Sequence, residues 1–241
     1  MDILRKLRGA FYRIARGIAK RCVRLTPLSA LGGTHPKNLQ VAQIGHGEGQ
    51  WDIPANLVDK TWNCYSVGVG IDASFESDLA TKYGCPVTSF DPTPAAVEYV
   101  RSLEPTPFRF VPWGIWTHDG HLDFYSQDTE NTVNLSALDS KRGRLLCRVE
   151  CFTLQTVLQR LGHSGVDLLK IDIEGAWMPV IENFVASGIS PQVFCVEFDS
   201  PTSIFRVRKA VRLLSRVGLS LVQRRRDNYL FVNRVILESL K

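Results

Sequence analysis

The spacing of apolar residues divides the chain into two regimes. Over residues 2–25, Ile3, Leu4, Leu7, Ala10, Phe11, Ile14, Ala15, Ile18, Cys22 and Leu25 fall on one arc at the helical period of about 100° per residue. This predicts an amphipathic helix, and Pro27 ends it. From residue 63 the pattern changes to short apolar runs. Those at 64–69, 87–90, 108–111, 168–173, 193–198, 220–223 and 229–232 read as strands. Stretches at 75–84, 94–103, 152–161, 177–187 and 203–217 read as helices. Alternating strands and helices predict an α/β, Rossmann-like fold: a mostly parallel seven-stranded sheet with helices on both faces. A small β-hairpin is expected at 121–125 and 132–135, after the third strand. Residues 26–62 read as a Pro- and Gly-rich connector with short ordered pieces. Within it Gly45, Gly47 and Gly49 predict a mobile or sharply turned loop. The expected organisation is a helix over residues 1–26 followed by one domain over residues 27–241.

Composition narrows the class. The chain has 241 residues, 44% hydrophobic and 22% charged, which fits a soluble globular protein and excludes a disordered or collagen-like one. No apolar run reaches the ~18 residues of a membrane span, and no secretory h-region is evident. Cys22, Cys64, Cys85, Cys147, Cys151 and Cys195 form no CxxC pair, so reduced thiols in a cytoplasmic setting are expected. The net charge is +5, but residues 1–25 carry +7 and the remainder −2. The basic helix suits either peripheral contact with an anionic membrane or packing against protein. The body of the chain does not call for nucleic acid.

The chemistry concentrates at two strand ends. Residues 65–76 carry a strand into Gly68 and Gly70, and a helix then starts near Ser74. Glycines there let a ligand approach the backbone, and Asp91, closing the next strand before Pro92, suits the two hydroxyls of a ribose. Gly68, Gly70 and Ala73 formally match the dinucleotide fingerprint. A pyrophosphate, however, wants bare N–H groups at the helix start, and this loop offers Asp72 and Glu76 instead. S-adenosyl-L-methionine has no phosphate and carries an ammonium and a sulfonium, so acids suit it. The plain alternative for Asp72 is a helix cap. At the second strand end, Asp172 and Glu174 precede Gly175 and are expected to face the same crevice. They are the candidate catalytic acids. His46, His118 and His121 are further candidate bases that read as exposed loop residues. Paired acids could hold Mg²⁺, but no third ligand stands out, so no metal is assigned. Arg208, Lys209, Arg212 and Arg216 read as the solvated face of a helix, and Arg224–Arg226 as a strand end or turn.

Five stretches carry a resemblance: YSVGVGIDASFESDL, SFDPTP, FRFVPWGIW, DLLKIDIEGAWMPVIE and VFCVEF, in that order across residues 62–200. The chain resembles the FkbM-type S-adenosylmethionine-dependent methyltransferases, a class I methyltransferase family. The resemblance implies that Ser66, Gly68, Gly70 and Asp72 line the methionine part of the cofactor. It implies that Asp91 binds the ribose and Pro92 borders the adenine, with Trp113 and Gly114 near the adenine. Asp172 and Glu174 would lie near the transferred methyl or the acceptor. The implied activity is O-methylation of a hydroxyl on a glycan or natural-product small molecule. Two positions depart from the family pattern: Trp177 stands where members often have an acid, and Asp199 where they often have His. The rival readings are an NAD-dependent oxidoreductase and a non-catalytic, membrane-associated binding module of the same fold.

Overall fold

Strands buried on both faces need apolar side chains at every position, and the short runs supply them. The computed structural model describes residues 23–126, 135–136, 144–199 and 202–240. The first half contains β1 (Val41–Ile44), β2 (Trp51–Pro54), β3 (Cys64–Val67), α1 (Ser74–Tyr83), β4 (Val87–Phe90), α2 (Pro94–Leu103), β5 (Arg109–Val111) and β6 (Gly114–Ile115). Next come β7 (Gly120–Ser126), β8 (Leu135–Ser136), β9 (Arg144–Phe152), α3 (Leu154–Leu161), β10 (Leu168–Ile171) and α4 (Trp177–Ala186). The chain closes with β11 (Val193–Glu197), α5 (Ile204–Arg216), β12 (Leu219–Arg225), β13 (Asn228–Asn233) and α6 (Arg234–Ser239).

The main sheet has seven strands in the order β12-β13-β11-β10-β3-β4-β5. The five strands from β11 to β5 are parallel. β13 enters antiparallel between β11 and β12. All seven strands and five helices expected from the apolar pattern are present. Alternate side chains feed two cores. Tyr65, Val67, Leu169, Ile171, Phe194 and Val196 enter one, together with α3, α4 and α5. Cys64, Leu168, Val193 and Cys195 enter the other, together with Phe75 and Leu79 of α1.

Three expectations need correction. The connector is more ordered than short pieces: β1 and β2 form an antiparallel hairpin, sharply turned between them, whose Trp51 and Ile53 are buried in the second core. Its glycines permit the tight turn, because a Cβ on Gly45 would lie 2.2 Å from the Gly49 carbonyl oxygen. The expected small hairpin is instead part of a four-stranded sheet, β6-β9-β7-β8. There β7 pairs with β9, a strand the pattern reading missed, from Gly120 to Ser126, and among the described residues it meets β8 at Tyr125 and Ser126. Residues 132–134 of that hairpin lie outside the described residues. Finally, α6 was not expected.

Of the N-terminal helix, residues 1–22 lie outside the described part, and residues 23–25 are helical. Val23 is buried in the first core. Arg24 Nε donates to Asp227 Oδ1 at 2.9 Å. Arg224 donates to the carbonyls of Val23 and Arg24. Arg225 reaches Asp52 and Gln50 of the hairpin. Two members of the arginine run therefore tie the outer segments to the sheet. Among the described residues no helix is long and apolar enough to cross a membrane.

Candidate cofactor and acceptor cleft

The sheet order reverses between β3 and β10: the chain builds outward from β3 through β4 and β5, then returns to build β10 and β11 on the other side. Ligands of open α/β sheets bind beyond the carboxyl ends of strands at such a point. A cleft of about 640 Å³ lies there. That volume is within the range of roughly 300–1,000 Å³ typical of small-molecule sites.

At the β3 end, Gly68 turns the chain at φ +86°, and a Cβ on it would lie 1.8 Å from the Asp172 carbonyl oxygen. The residue must therefore be glycine, and the two strand ends touch there. The Gly68 N–H donates to the Phe90 carbonyl at 2.8 Å. Its own carbonyl accepts from Lys170 Nζ at 2.7 Å. Gly70, at φ +57°, has no atom within 4 Å of where its Cβ would be, so its backbone faces open space.

Asp91 is 6% exposed and holds this loop. Its Oδ2 accepts from the N–H groups of Val69 at 3.0 Å and Gly70 at 2.9 Å. Its Oδ1 accepts from the Thr93 N–H at 2.9 Å and hydroxyl at 2.6 Å. A carboxylate offers about four acceptor positions, so all are engaged. Asp72 has a second task beside lining the cleft. It accepts from the Gly49 N–H at 3.0 Å and the Ser74 N–H at 3.1 Å. His46 N–H donates to Ser74 Oγ, and Gly45 N–H to Asp78, so the β1–β2 turn is bound to the start of α1. Burial pushes the Asp72 carboxyl up, but the bonds from Ser74 and Gly49 outweigh it and hold it below the usual range.

The floor of the cleft carries a buried cation. Lys170 is 3% exposed. Its ammonium lies 3.7 Å from Glu76 Oε1 and 3.8 Å from Asp172 Oδ2, and 5.3 Å from the centre of the Trp51 ring. Glu76 is fully buried and accepts from the Ser66 hydroxyl. Burial raises its carboxyl above the ordinary value despite Lys170 and Ser66.

The β10 and β11 end is crowded with acids. Asp172, Glu174 and Glu197 line the cleft. Burial and the neighbouring Asp172 push the Glu197 carboxyl up to about 9. Asp199 accepts from the Gly175 N–H at 2.7 Å, and burial raises its carboxyl too. The opposite wall comes from the four-stranded sheet, through Trp116, Leu122 and Phe124.

Of the residues singled out in the sequence, Gly68, Gly70, Asp72 and Asp91 line the cleft at the β3 end. Pro92, Gly114, Asp172 and Glu174 line it as well. Two do not. Ser66 is fully buried and turned to Glu76 beneath the floor. Trp113 packs edge-on against Phe152, with Arg160 over its ring, and Trp116 takes the wall position instead. His46, His118 and His121 are exposed, and none lines the cleft. Lys170 and Glu197 were not singled out. Each sits inside an otherwise apolar strand, and a charge in such a run is the signal that marks them. Of the two departures from the family pattern, Trp177 packs against Phe198 with Arg206 over its ring, and Asp199 accepts from the Gly175 N–H. Among the described residues no group of three His, Cys, Asp or Glu side chains could hold a metal ion.

The family model described as the Methyltransferase FkbM domain matches residues 66–214. The human protein named "Probable methyltransferase-like protein 24" is 25% identical over 145 residues, which is 60% of this chain and 34% of that protein. Its rat counterpart of the same name is 27% identical over 135 residues, 56% of this chain and 31% of that protein. The chain thus spans about a third of the length of these curated relatives. A TehB-like SAM-dependent methyltransferase from Corynebacterium glutamicum is a structural neighbour at 14% identity and a TM-score of 0.39, covering 74% of this chain and 84% of that one. The sheet has the Rossmann-like class I methyltransferase order, and the chain belongs to the FkbM methyltransferase family.

Proposed function

We propose that this chain transfers a methyl group from S-adenosyl-L-methionine to a hydroxyl of a glycan or other hydroxylated small molecule. One observation supports this over dinucleotide binding. The first N–H groups of α1, where a pyrophosphate would sit, already have partners: Asp72 takes that of Ser74, and the Tyr99 hydroxyl that of Ala73. The loop instead turns carboxylates toward the cleft, and these match a ligand with ammonium and sulfonium charges. The open backbone at Gly70 leaves room for its close approach.

When bound, S-adenosyl-L-methionine supplies a reactive methyl on sulfur. The chain's own part is to align, to exclude water and to manage one proton. Asp91 fixes Val69 and Gly70, so the loop is set before ligand arrives. A ribose hydroxyl at Asp91 would replace the Thr93 hydroxyl, the one donor there that is free to rotate away. Trp116, Leu122 and Phe124 give the acceptor side an apolar wall. A sugar ring could lie against it while its hydroxyl meets Asp172. A positioned base of this kind contributes roughly 10²–10⁴ in rate.

The test is release of S-adenosylhomocysteine from S-adenosyl-L-methionine in the presence of a panel of sugars and hydroxylated natural products. Acceptor-dependent release, lost in Asp172→Asn, supports the reading. Release driven only by amine or thiol acceptors would overturn the hydroxyl assignment.

A further inference from the structure

The acids at the β10 and β11 end are arranged in a way that fixes where one proton resides. Ile171 pairs with Val196 across these parallel strands. One step further, Asp172 and Glu197 fall side by side on the same face, at a strand spacing of about 4.8 Å. Both line the cleft, and the Asp172 charge adds to burial in raising the Glu197 carboxyl. Two carboxylates this close repel each other when both are ionised, which favours a single proton on the pair.

The surroundings are not symmetric. Lys170, on β10, sits 3.8 Å from Asp172 Oδ2, and Glu76 and the Gly68 carbonyl hold it in place. Its ammonium attracts the Asp172 carboxylate. Glu197 faces Glu174 beyond β10 and Asp199 beyond its own strand, which favour the proton on Glu197. On its outer side stand Arg24, itself paired with Asp227, and Asn228, the register partner on β13.

We propose that Asp172 and Glu197 act as one carboxyl pair holding a single proton at neutral pH, with Asp172 the base toward the acceptor and Glu197 the residue that positions it. This rests on the methyl-transfer reading above. In the step it implies, the acceptor O–H proton passes to Asp172 as the acceptor oxygen forms its bond to the methyl carbon. The bond from that carbon to sulfur breaks, and its electron pair stays on sulfur. The pair then releases the gained proton to solvent. Glu197 donates to Asp172 throughout and keeps its carboxylate aimed into the cleft.

The proton on Glu197 gives a readout that needs no acceptor. In the unfolded chain this carboxyl titrates near 4.5, and in the folded chain near 9. Its contribution to stability is therefore fully present below about 4.5 and is lost as pH rises toward about 9. Melting temperature is measured from pH 5 to 9.5 for the full chain and for Glu197→Gln and Asp172→Asn, each with and without S-adenosylhomocysteine. Glu197→Gln should melt as the parent does near pH 5 and increasingly above it as pH rises. Asp172→Asn should show a smaller flattening in the same direction, because burial, Glu174 and Asp199 still raise the Glu197 carboxyl once the Asp172 charge is gone. Parallel curves for all three proteins would overturn the pair. Flattening in Glu197→Gln alone would also overturn it, because Glu197 would then titrate independently of Asp172. In methyl transfer, Glu197→Gln still donates to Asp172, so activity at pH 7 should stay within about fivefold, whereas Glu197→Ala should lose at least about tenfold. Equal losses in Gln and Ala would reject the positioning role. Failure of the parent to bind S-adenosylhomocysteine would sink the methyl-transfer reading, while the melting curves would still decide the pair.

Discussion

The two ends of the cleft are built by opposite means. At the β3 and β4 end, each carboxylate is met by donors: Asp91 by four, and Asp72 by the backbone of Gly49 and Ser74. At the β10 and β11 end, Asp172, Glu174, Glu197 and Asp199 stand close enough to perturb one another, with Lys170 as the buried cation among them. The first end is rigid before any ligand arrives. The second stores repulsion that a bound cation or a shared proton relieves. This division fits the proposed methyl transfer, in which one end would recognise the shape of the cofactor and the other would handle charge.

The harshest way to break this comparison is at the point where the ends touch. Gly68→Ala places a Cβ on the Asp172 carbonyl and forces an unfavourable φ. The cost should be about 4 kcal/mol, a drop in melting temperature on the order of 10 °C. Both ends should fail together, with S-adenosylhomocysteine binding lost in whatever protein still folds. A mild effect would mean that the strand ends do not abut.

Lys170→Met isolates the charged end. It leaves Glu76 and Asp172 without their cation, and breaking such a buried pair costs about 3 kcal/mol. Chemical denaturation should show the loss shrinking at acid pH, as the buried Glu76 takes up a proton. A loss independent of pH would mark Lys170 as packing alone. Asp91→Ala isolates the other end. It removes the acceptor for four donors and should cost about 2 kcal/mol in stability, with S-adenosylhomocysteine binding weaker by roughly 10- to 100-fold. Unchanged binding in a folded variant would show that Asp91 has no role toward the ribose. The smallest effect is expected from Arg24→Ala at the outer rim. That ion pair is partly exposed, and its loss should change stability by at most about 1 kcal/mol. A larger change would mean that the N-terminal helix is bound to the fold more tightly than its described end accounts for.

How far the sequence carried this picture differs between regions for physical reasons. The strands of the main sheet were legible because double-sided burial demands unbroken apolar runs such as residues 193–196. Their ends were less legible. The strand expected to reach residue 69 stops at Val67, because Gly68 adopts a backbone only glycine favours. The β1–β2 hairpin was hidden for a related reason. Alternating glycines look like a flexible link, yet here Gly45 and Gly49 pack too closely for any side chain. Strand β9 escaped notice because Arg148 and Glu150 face solvent in alternation with Cys147, Val149 and Cys151. In the cleft, the glycine loop and the acids at 72, 91, 172 and 174 were legible from type and position. Ser66 and Trp113 were misplaced because neither residue type nor spacing says which face a strand or loop residue presents. Glu197 and Lys170 stand out as charges in apolar runs, but what they face follows from register, which no single strand carries by itself.

The central claim is that the cleft at the switch point is a site for S-adenosyl-L-methionine chemistry and not for a dinucleotide. Calorimetric titration of the full chain with S-adenosylhomocysteine and, separately, with NAD tests it most directly. The account predicts one-to-one binding of S-adenosylhomocysteine, weakened in Asp91→Ala, and no measurable heat with NAD. Saturable NAD binding together with no response to S-adenosylhomocysteine would contradict it.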